Sequence, residues 1–188
     1  MYHLVKAHFD SKCILMIGQP RTGKTTYLYE RLIMPRLDKN NRVLIVVADG
    51  ADWRVKQIQK PEEITTFTGF RKISFYPELF KDLIAYKHGL LVFDDCRFYL
   101  DTDRLDYDMH RALARLRQDK IDVVAVYHGF TEVHRKFWTF ATNAIIFKTT
   151  DDISQRKNVI PMFAEIAKIQ KEMNANPDAH CKTIFKFR

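Results

Sequence analysis

The sequence predicts an α/β fold in which a mostly parallel β-sheet carries helices on both faces. Short runs of consecutive Val, Ile, Leu and Phe recur along the 188-residue chain, and helical patterns lie between most of them. Continuous apolar runs are typical of strands that are buried on both sides, and their alternation with helices is typical of parallel sheets. The predicted strands are residues 12–17, 43–48, 71–76, 89–94, 121–127, 144–149 and 181–187.

The first predicted strand leads into the segment GQPRTGKTT, residues 18–26, and a helical pattern from Thr25 to Pro35 follows. The segment has the spacing G-x-x-x-x-G-K-T. Between a strand and a helix, the backbone N–H groups of such a loop and the N-terminus of the helix form an anion site. Because glycine has no Cβ, a phosphate can approach the backbone closely. The motif predicts nucleoside triphosphate binding, with Lys24 at the β- and γ-phosphates and the Thr25 hydroxyl on Mg²⁺. The predicted nucleotide-binding residues are Gly18, Gln19, Pro20, Arg21, Thr22, Gly23, Lys24, Thr25 and Thr26.

Polar side chains follow three other predicted strands, at Asp49, at Asp94 and Asp95, and at His128. Ligands of parallel sheets bind at the carboxyl ends of the strands. The run LLVFDD ends in two adjacent carboxylates, of which Asp94 is predicted to hold Mg²⁺. Asp95 is predicted to deprotonate the attacking water as a general base. The alternative is that Asp95 only caps the next turn.

The segment DTDRLDYDMHRALARLRQDK, residues 101–120, predicts an amphipathic helix. Its apolar residues at helical spacing are Leu105, Met109, Ala112, Leu113 and Leu116. Its candidate N-caps are Asp101, Thr102 and Asp103. A neighbouring face carries Arg104, Arg111 and Arg115, and Arg117 lies near the helix end. These arginines form either a solvated charged face or a group that stabilises transition-state charge at the nucleotide of a neighbouring subunit.

The composition predicts one globular domain over residues 1–188, with no membrane-spanning segment. No apolar run approaches the ~18 residues that cross a bilayer. The three cysteines lack paired Cys/His spacing, which argues against zinc and favours free thiols in a cytosolic setting. A formal net charge of +8 suggests a polyanionic partner besides the nucleotide.

The order of these motifs resembles the FtsK/HerA superfamily of DNA-pumping ATPases. DDCRF, residues 94–98, resembles the D-E-A-x-x-aromatic stretch of that family. RQDKIDVVAVYHG, residues 117–129, resembles its segment of an arginine, an apolar strand and T-Q. NAIIFKTTDDISQR, residues 143–156, resembles the strand that follows. The resemblance covers residues 13 to about 156 and implies a RecA-like P-loop NTPase fold.

The resemblance also implies roles for particular residues. It places Arg117, or its neighbours Arg115 and Arg111, as an arginine finger that acts in trans. It places His128 where the family has a sensor glutamine, although a histidine at a strand end can also be an ordinary structural residue. Asp95 stands where the family has glutamate, with a side chain one methylene shorter. His128 can hydrogen-bond a phosphate or a water, but it also titrates.

Among such ATPases, the chain most resembles the genome-packaging ATPases of membrane-containing, double-jelly-roll viruses and phages, which are bare motor domains of this size. The resemblance implies an ATP- and Mg²⁺-dependent motor that forms a homo-oligomeric ring, preferably a hexamer, and moves double-stranded DNA into a capsid. The expected partners are DNA backbone phosphates and capsid or packaging-vertex proteins, in the host cytoplasm and in association with the virion. Candidate DNA contacts are Lys56, Arg135, Lys136, Arg156 and Lys157.

Three other functions stay open from the sequence alone. The first is a small-molecule P-loop kinase. The lack of an identifiable arginine-rich lid in the sequence argues against it. The second is an ATPase that assembles or extrudes virions. The lack of a transmembrane segment in the sequence argues against it. The third is a nucleotide-dependent structural switch without turnover, which Asp95 and His128 leave open. DNA-stimulated ATPase activity would separate a DNA motor from the kinase and from the switch.

Overall fold

The computed structural model describes residues 11–38, 41–48, 53–100 and 106–187. They contain a seven-stranded sheet, and its strands differ from the predicted ones by at most two residues at either end. The strands are β1 (Cys13–Ile17), β2 (Val43–Val47), β3 (Phe70–Ser74), β4 (Leu90–Phe93), β5 (Asp122–Tyr127), β6 (Asn143–Phe147) and β7 (Lys182–Lys186). Asp49, the polar residue predicted to follow the second strand, lies outside the described residues. So does the predicted start of the arginine-bearing amphipathic helix, at Asp101, Thr102, Asp103, Arg104 and Leu105.

The helices lie between the strands in the predicted alternation. They are α1 (Lys24–Tyr27), α2 (Met34–Leu37), α3 (Glu63–Thr66), α4 (Leu79–Leu83), α5 (Asp106–Gln118), α6 (Arg135–Phe140) and α7 (Phe163–Ala175). Two short 3₁₀ segments, Cys96–Phe98 and Ile153–Arg156, follow β4 and β6. None of the helices in the described part of the chain is both long enough and apolar enough to cross a membrane.

A π-helical segment, Leu28–Ile33, joins α1 to α2 without a break. The predicted helix end at Pro35 is therefore wrong, because helical backbone continues to Leu37. Proline lacks the N–H that an α-helical hydrogen bond needs at this position. The wider π turn directly before it changes the hydrogen-bond spacing, so that the chain continues as a helix past Pro35.

The central strands of the sheet are buried on both faces, which explains why they read as continuous apolar runs. In β2 all five residues are buried, with Val43, Ile45 and Val47 in one core and Leu44 and Val46 in the other. The first core includes the helical segment that follows β1, and the second includes α4 to α7. The described part of the predicted apolar face of α5 is buried, at Met109, Ala112, Leu113 and Leu116.

The strand order is β3-β2-β4-β5-β1-β6-β7, and all neighbours are parallel except β7, which pairs with β6 antiparallel. This arrangement confirms the predicted α/β fold with a mostly parallel sheet and helices on both faces. Strand β5 lies between β1, which leads into the phosphate-loop motif, and β4, which leads into the paired acids. The carboxyl ends of β4, β5, β1 and β6 are therefore adjacent at one edge of the sheet.

Candidate nucleotide site

The loop that follows β1 is anchored to the strands on either side of it. The Gly18 amide donates to the Tyr127 carbonyl at the end of β5 at 3.2 Å, and the Gln19 amide donates to the Lys148 carbonyl just after β6 at 2.8 Å. Within the loop, Thr22 Oγ1 donates to the Gln19 carbonyl at 2.8 Å. These bonds fix the loop over the carboxyl edge of the sheet, where the sequence predicted a phosphate site.

Two glycines of the motif are required by the geometry of the loop. A Cβ on Gly18 would lie only 2.5 Å from the Cβ of Phe147, so a larger residue would push the loop away from β6. Gly23 has a φ of +86°, in the left-handed region that glycine adopts without a steric penalty. Both glycines of the G-x-x-x-x-G-K-T spacing therefore have a structural reason that agrees with the motif.

Lys24 follows directly after Gly23 and folds back onto the loop. It is 7% exposed, and its Nζ donates to the carbonyl oxygens of Gly18 and, at 2.9 Å, of Gln19. Burial lowers the pKa of Lys24 to about 8, although the charges of Asp95 and Asp94 oppose this shift. A desolvated ammonium group gains stability when an anion approaches it. Phosphate oxygens in the loop would supply that negative charge.

Asp94 lies at the tip of β4, where its amide continues the sheet by donating to the Val46 carbonyl at 3.0 Å. Its Oδ2 accepts a hydrogen bond from Trp53 Nε1 at 2.6 Å. Burial raises the pKa of Asp94, and the Trp53 hydrogen bond opposes this shift. The carboxylate is thus half-buried and oriented by a neutral donor, an arrangement in which a cation would favour its charged form.

Asp95 is the centre of a charged group at the same strand end. His128 Nε2 lies 3.2 Å from Asp95 Oδ1, and Arg97 Nε lies 3.1 Å from the same oxygen. Burial alone would raise the pKa of Asp95, but the contact with His128 and the charges of His128, Arg97 and Lys24 hold it below its ordinary value. Glu132 accepts a hydrogen bond from the His128 amide at 3.1 Å, and its Oε1 lies 3.8 Å from Arg97 Nη1.

A cavity of about 510 Å³ lies between the phosphate loop and the ends of β4 and β5. Its lining includes Lys24, both predicted acids, His128 and one residue that no motif predicted, His180, together with Pro20, Arg21, Gly23, Thr25 and Thr26 of the loop. The volume lies within the range of about 300–1,000 Å³ that is usual for small-molecule sites. The structure thus brings the phosphate-loop residues, the predicted metal ligands and the predicted general base to one cavity.

The arginines of α5 do not join this group. Arg111, Arg115 and Arg117 are exposed, and Arg115 Nε lies 3.0 Å from Oδ2 of Asp119, the residue that follows α5. The Arg117 carbonyl accepts a hydrogen bond from Ser11 Oγ at 3.1 Å, next to the start of β1. Arg117 therefore lies at the opposite edge of the sheet from the phosphate loop. Arg117 could therefore act only at the nucleotide of a neighbouring subunit.

Four residues of the site were missed by the sequence analysis: Trp53, Arg97, Glu132 and His180. Arg97 was within reach of a sequence argument, because it lies two residues after Asp95 in the stretch DDCRF. Trp53 and His180 come from loops that are remote in the sequence and follow no motif spacing. Only the packing of those loops onto the carboxyl edge of the sheet brings them to the cavity.

The residues present fit a nucleoside triphosphate with Mg²⁺. The buried His128 Nδ1 has no hydrogen-bond partner among the residues that the structure describes. Buried polar atoms of native proteins are normally paired, with protein, water or ligand. Mg²⁺ at such sites is usually held by one or two protein oxygens together with phosphate oxygens and waters. The Thr25 hydroxyl and the Asp94 carboxylate, which line the same cavity, are oxygen donors of that kind.

No protein-family model matches the sequence, and no curated protein sequence matches it. Solved structures do. The genome packaging NTPase B204 from Sulfolobus turreted icosahedral virus 2, in complex with sulfate, matches with a TM-score of 0.72 and 12% identity over 94% of this chain and 96% of that one. The chain has the fold of this packaging NTPase. The same NTPase in complex with ATP-gammaS matches with a TM-score of 0.69 and 13% identity, over 96% and 98% of the two chains.

A second match is with EssC (ATPases 2 and 3) from Geobacillus thermodenitrificans. Its TM-score is 0.57 at 10% identity, and it covers 94% of this chain and 38% of that one. At such low identity the likeness is one of fold. Both matches confirm the predicted RecA-like P-loop NTPase fold for the described chain.

Proposed function

We propose that this protein is a Mg²⁺-dependent ATPase that drives DNA into a viral capsid. The observation that carries the proposal is the meeting of Lys24, Asp94, Asp95 and His128 around one cavity above the phosphate loop. The fold supports it further, because the solved structures that match over nearly the whole chain include a viral genome packaging NTPase.

In the proposed site, the backbone N–H groups of the loop and the Lys24 ammonium bind the phosphates. The Thr25 hydroxyl and the Asp94 carboxylate hold Mg²⁺, with Trp53 fixing the orientation of Asp94. The chemistry that Mg²⁺ would supply there is neutralisation of the negative charge that develops on the phosphates. Lys24 is already desolvated against the loop carbonyls, so its charge reaches the phosphates with little loss to solvent.

Asp95 is the proposed general base. Its Oδ1 is held between His128 and Arg97, and the ionised carboxylate can accept a proton from an attacking water. His128 contacts Asp95 through Nε2, which leaves its Nδ1 available for a hydrogen bond to the nucleotide or to water. His128 is therefore proposed as the residue that contacts the γ-phosphate and, through its contact with Asp95, couples the presence of that phosphate to the general base.

The proposed second ligand is the DNA backbone. Four of the five candidate cations follow the carboxyl ends of β5 and β6. They lie at the start of α6 and at the end of the 3₁₀ segment after β6: Arg135, Lys136, Arg156 and Lys157. The fifth, Lys56, is in a loop beside β3. The first four lie at the same edge of the sheet as the phosphate loop. Contacts of lysine and arginine with phosphates bind DNA independently of sequence.

The decisive experiment is the ATPase rate of the purified protein with and without duplex DNA. We expect DNA to raise the turnover number, because a translocating motor couples hydrolysis to its track. The Asp95→Asn variant is the matched control, since it removes the proposed base and leaves the surface cations unchanged. Single-stranded DNA at equal nucleotide concentration tests the expected preference for duplex.

The same experiment separates the other functions. A small-molecule kinase would hydrolyse ATP slowly and would ignore DNA, and a structural switch would bind ATP without turnover. A rate that is equal with and without DNA would contradict the packaging proposal. A fast rate of that kind would favour an assembly or extrusion ATPase, and a slow one a small-molecule kinase. Ring formation, docking to capsid or packaging-vertex proteins and association with the virion in the host cytoplasm are further parts of the proposal.

A further inference from the structure

Arg21 is at the third position of a tight turn in the phosphate loop, residues 19–22. Pro20 before it has a fixed negative φ, whereas Arg21 has a φ of +65°. A proline followed by a residue with positive φ is the pattern of a type II turn, whose third position favours glycine or asparagine. An arginine held there is strained, and strained backbone of this kind clusters at functional sites.

Contacts on both sides of Arg21 fix this turn. The Gln19 amide donates to the Lys148 carbonyl after β6 at 2.8 Å. The Gln19 carbonyl accepts a hydrogen bond from Thr22 Oγ1 at 2.8 Å and another from Lys24 Nζ at 2.9 Å. Arg21 thus lies in a turn whose first carbonyl also holds Lys24, the residue proposed to bind the β- and γ-phosphates.

The side chain of Arg21 is exposed and lines the cavity above the phosphate loop. No described residue forms a hydrogen bond or an ion pair with its guanidinium. Other arginines nearby are paired, Arg97 with Asp95 and Arg156 with the Thr131 carbonyl. Five non-glycine residues in the described part of the chain have a positive φ, and of these only Arg21 and Asp95 line the cavity. The guanidinium of Arg21 is therefore available to an anion in the cavity.

We propose that Arg21 is a catalytic residue that contacts the γ-phosphate of the nucleotide bound to its own subunit. The inference rests on the proposed ATPase function and adds a side-chain role at a position where the phosphate-loop motif accepts any residue. No comparison assigns this role.

In hydrolysis, the oxygen of the attacking water bonds to the γ-phosphorus and Asp95 takes up the proton of the water. The bond between the γ-phosphorus and the bridging oxygen breaks, and the products are ADP and inorganic phosphate. Negative charge is spread over the oxygens of the transferred group in the transition state. The guanidinium of Arg21 stabilises that charge, and the fixed turn presents it without rearrangement of the backbone.

The test is Arg21→Gly, which removes the guanidinium and relieves the strained backbone. Turnover should fall by about 10²-fold or more, the usual effect of removing one preorganised donor. The melting temperature should not fall, because glycine adopts a positive φ without a steric penalty. ADP lacks the γ-phosphate and should bind the variant and the unmodified protein equally well. Arg21→Lys keeps the charge and should retain more turnover than Arg21→Gly.

The matched control is Lys120→Gly. Lys120 is also an exposed cation with a positive φ, of 56°, but it lies between α5 and β5 and does not line the cavity. This variant should keep both its turnover and its melting temperature. Unchanged turnover in Arg21→Gly would overturn the proposal, and so would an equal loss of affinity for ADP and for ATP.

A mixing experiment tests whether Arg21 acts in its own subunit. Arg21→Gly and Lys24→Ala damage the same phosphate loop, so a mixture of the two variants should stay inactive. Recovery of turnover in the mixture would mean that Arg21 acts at the nucleotide of a neighbour, and it would overturn the assignment. If the unmodified protein neither binds nor hydrolyses ATP, the proposed function itself fails. A fully active Arg21→Gly variant of an active protein contradicts only the present inference.

Discussion

Trp53 Nε1 donates a hydrogen bond to Asp94 Oδ2 at 2.6 Å, although the two residues are 41 positions apart. The indole also meets the ring of Phe70 edge to face, with 5.7 Å between the centroids. A residue from a loop thereby sets the orientation of the carboxylate that we propose as a ligand of Mg²⁺. Partners of this kind are known to tune metal affinity without touching the metal.

Trp53→Phe should raise the Mg²⁺ concentration that gives half-maximal ATPase activity by about tenfold, because Asp94 loses the donor that orients it. The aromatic contact with Phe70 is largely kept, so stability should change little. The measurement is ATP turnover as a function of Mg²⁺ concentration. Trp138→Phe is the matched control, since Trp138 Nε1 has no hydrogen-bond partner in the described part of the chain. An unchanged Mg²⁺ dependence in Trp53→Phe would contradict the assignment of Asp94.

Lys24→Ala should lower ATP turnover by at least about 10²-fold, the usual cost of removing one preorganised charge donor from a reacting centre. The fold should persist, because Lys24 packs against loop carbonyls rather than in either apolar core. Turnover and a thermal melt should be measured together. Lys168→Ala removes a lysine whose side chain is 78% exposed on α7, and it should behave like the unmodified protein. Undiminished turnover in Lys24→Ala would remove the basis of the phosphate-loop assignment.

The two adjacent acids should differ in their effects. Asp95→Asn should lower turnover by about 10²–10⁴-fold, the range for loss of a general base, with ATP binding largely kept. Asp94→Asn should instead weaken the Mg²⁺-dependent part of ATP binding, which disappears when Mg²⁺ is removed with a chelator. Binding and turnover should be measured for both variants over a range of Mg²⁺ concentrations. Small and equal effects would mean that the two roles are wrongly assigned.

DNA binding should weaken steeply with salt and show little sequence preference. The reason is that a net charge of +8 favours phosphate contacts, which release counterions from DNA. The affinities of several duplexes of equal length should be compared at low and near-physiological salt. A flat salt response, or a strong preference for one duplex, would be incompatible with a motor that moves along any sequence.

The arginines of α5 should act only between subunits. Arg111→Ala, Arg115→Ala and Arg117→Ala should be compared one at a time, and the finger should lower turnover by about 10³–10⁵-fold when removed. An inactive arginine variant keeps its own phosphate loop, and a Lys24→Ala subunit keeps its arginines. Mixing these two proteins should therefore restore part of the activity at shared interfaces.

Two results would speak against an arginine finger in trans. One is near-normal turnover in all three arginine variants, as a solvated charged face predicts. The other is a mixture that stays inactive at concentrations where the unmodified protein is active. The dependence of turnover on protein concentration gives an independent measurement, because an incomplete site in a monomer would make activity rise with assembly.

The strands and the phosphate loop could be predicted because their physical causes are local in the sequence. Strands that are buried on both faces read as apolar runs, as β2 does at all five of its residues. Gly23 is required by its own positive φ, whereas the clash that requires Gly18 is with Phe147 of β6 and belongs to the packing of the loop. The predicted helix end at Pro35 is wrong, because a π turn in the preceding residues changes the backbone hydrogen-bond spacing. No residue type in the sequence indicates such a turn.

The remaining site residues depend on tertiary packing that sequence patterns do not encode. Glu132 lies four residues after His128, but it meets Arg97 only because the segment after β4 folds against the segment after β5. His180 reaches the phosphate loop because the turn before β7 is tied to Lys148 after β6. Such contacts join residues from three or four segments, so no single spacing identifies them.

Strand β5 begins four residues after the end of α5 and ends next to His128, and all six of its residues are buried. A six-residue strand is about 20 Å long and deforms little when both of its faces are packed. In the ring that we propose, Arg117 before β5 would meet the nucleotide of the neighbouring subunit, whereas His128 after β5 would face the nucleotide of its own. A conformational change at one nucleotide site would then be transmitted along β5 to the nucleotide site of the neighbouring subunit. Adjacent subunits would hydrolyse ATP in succession rather than independently.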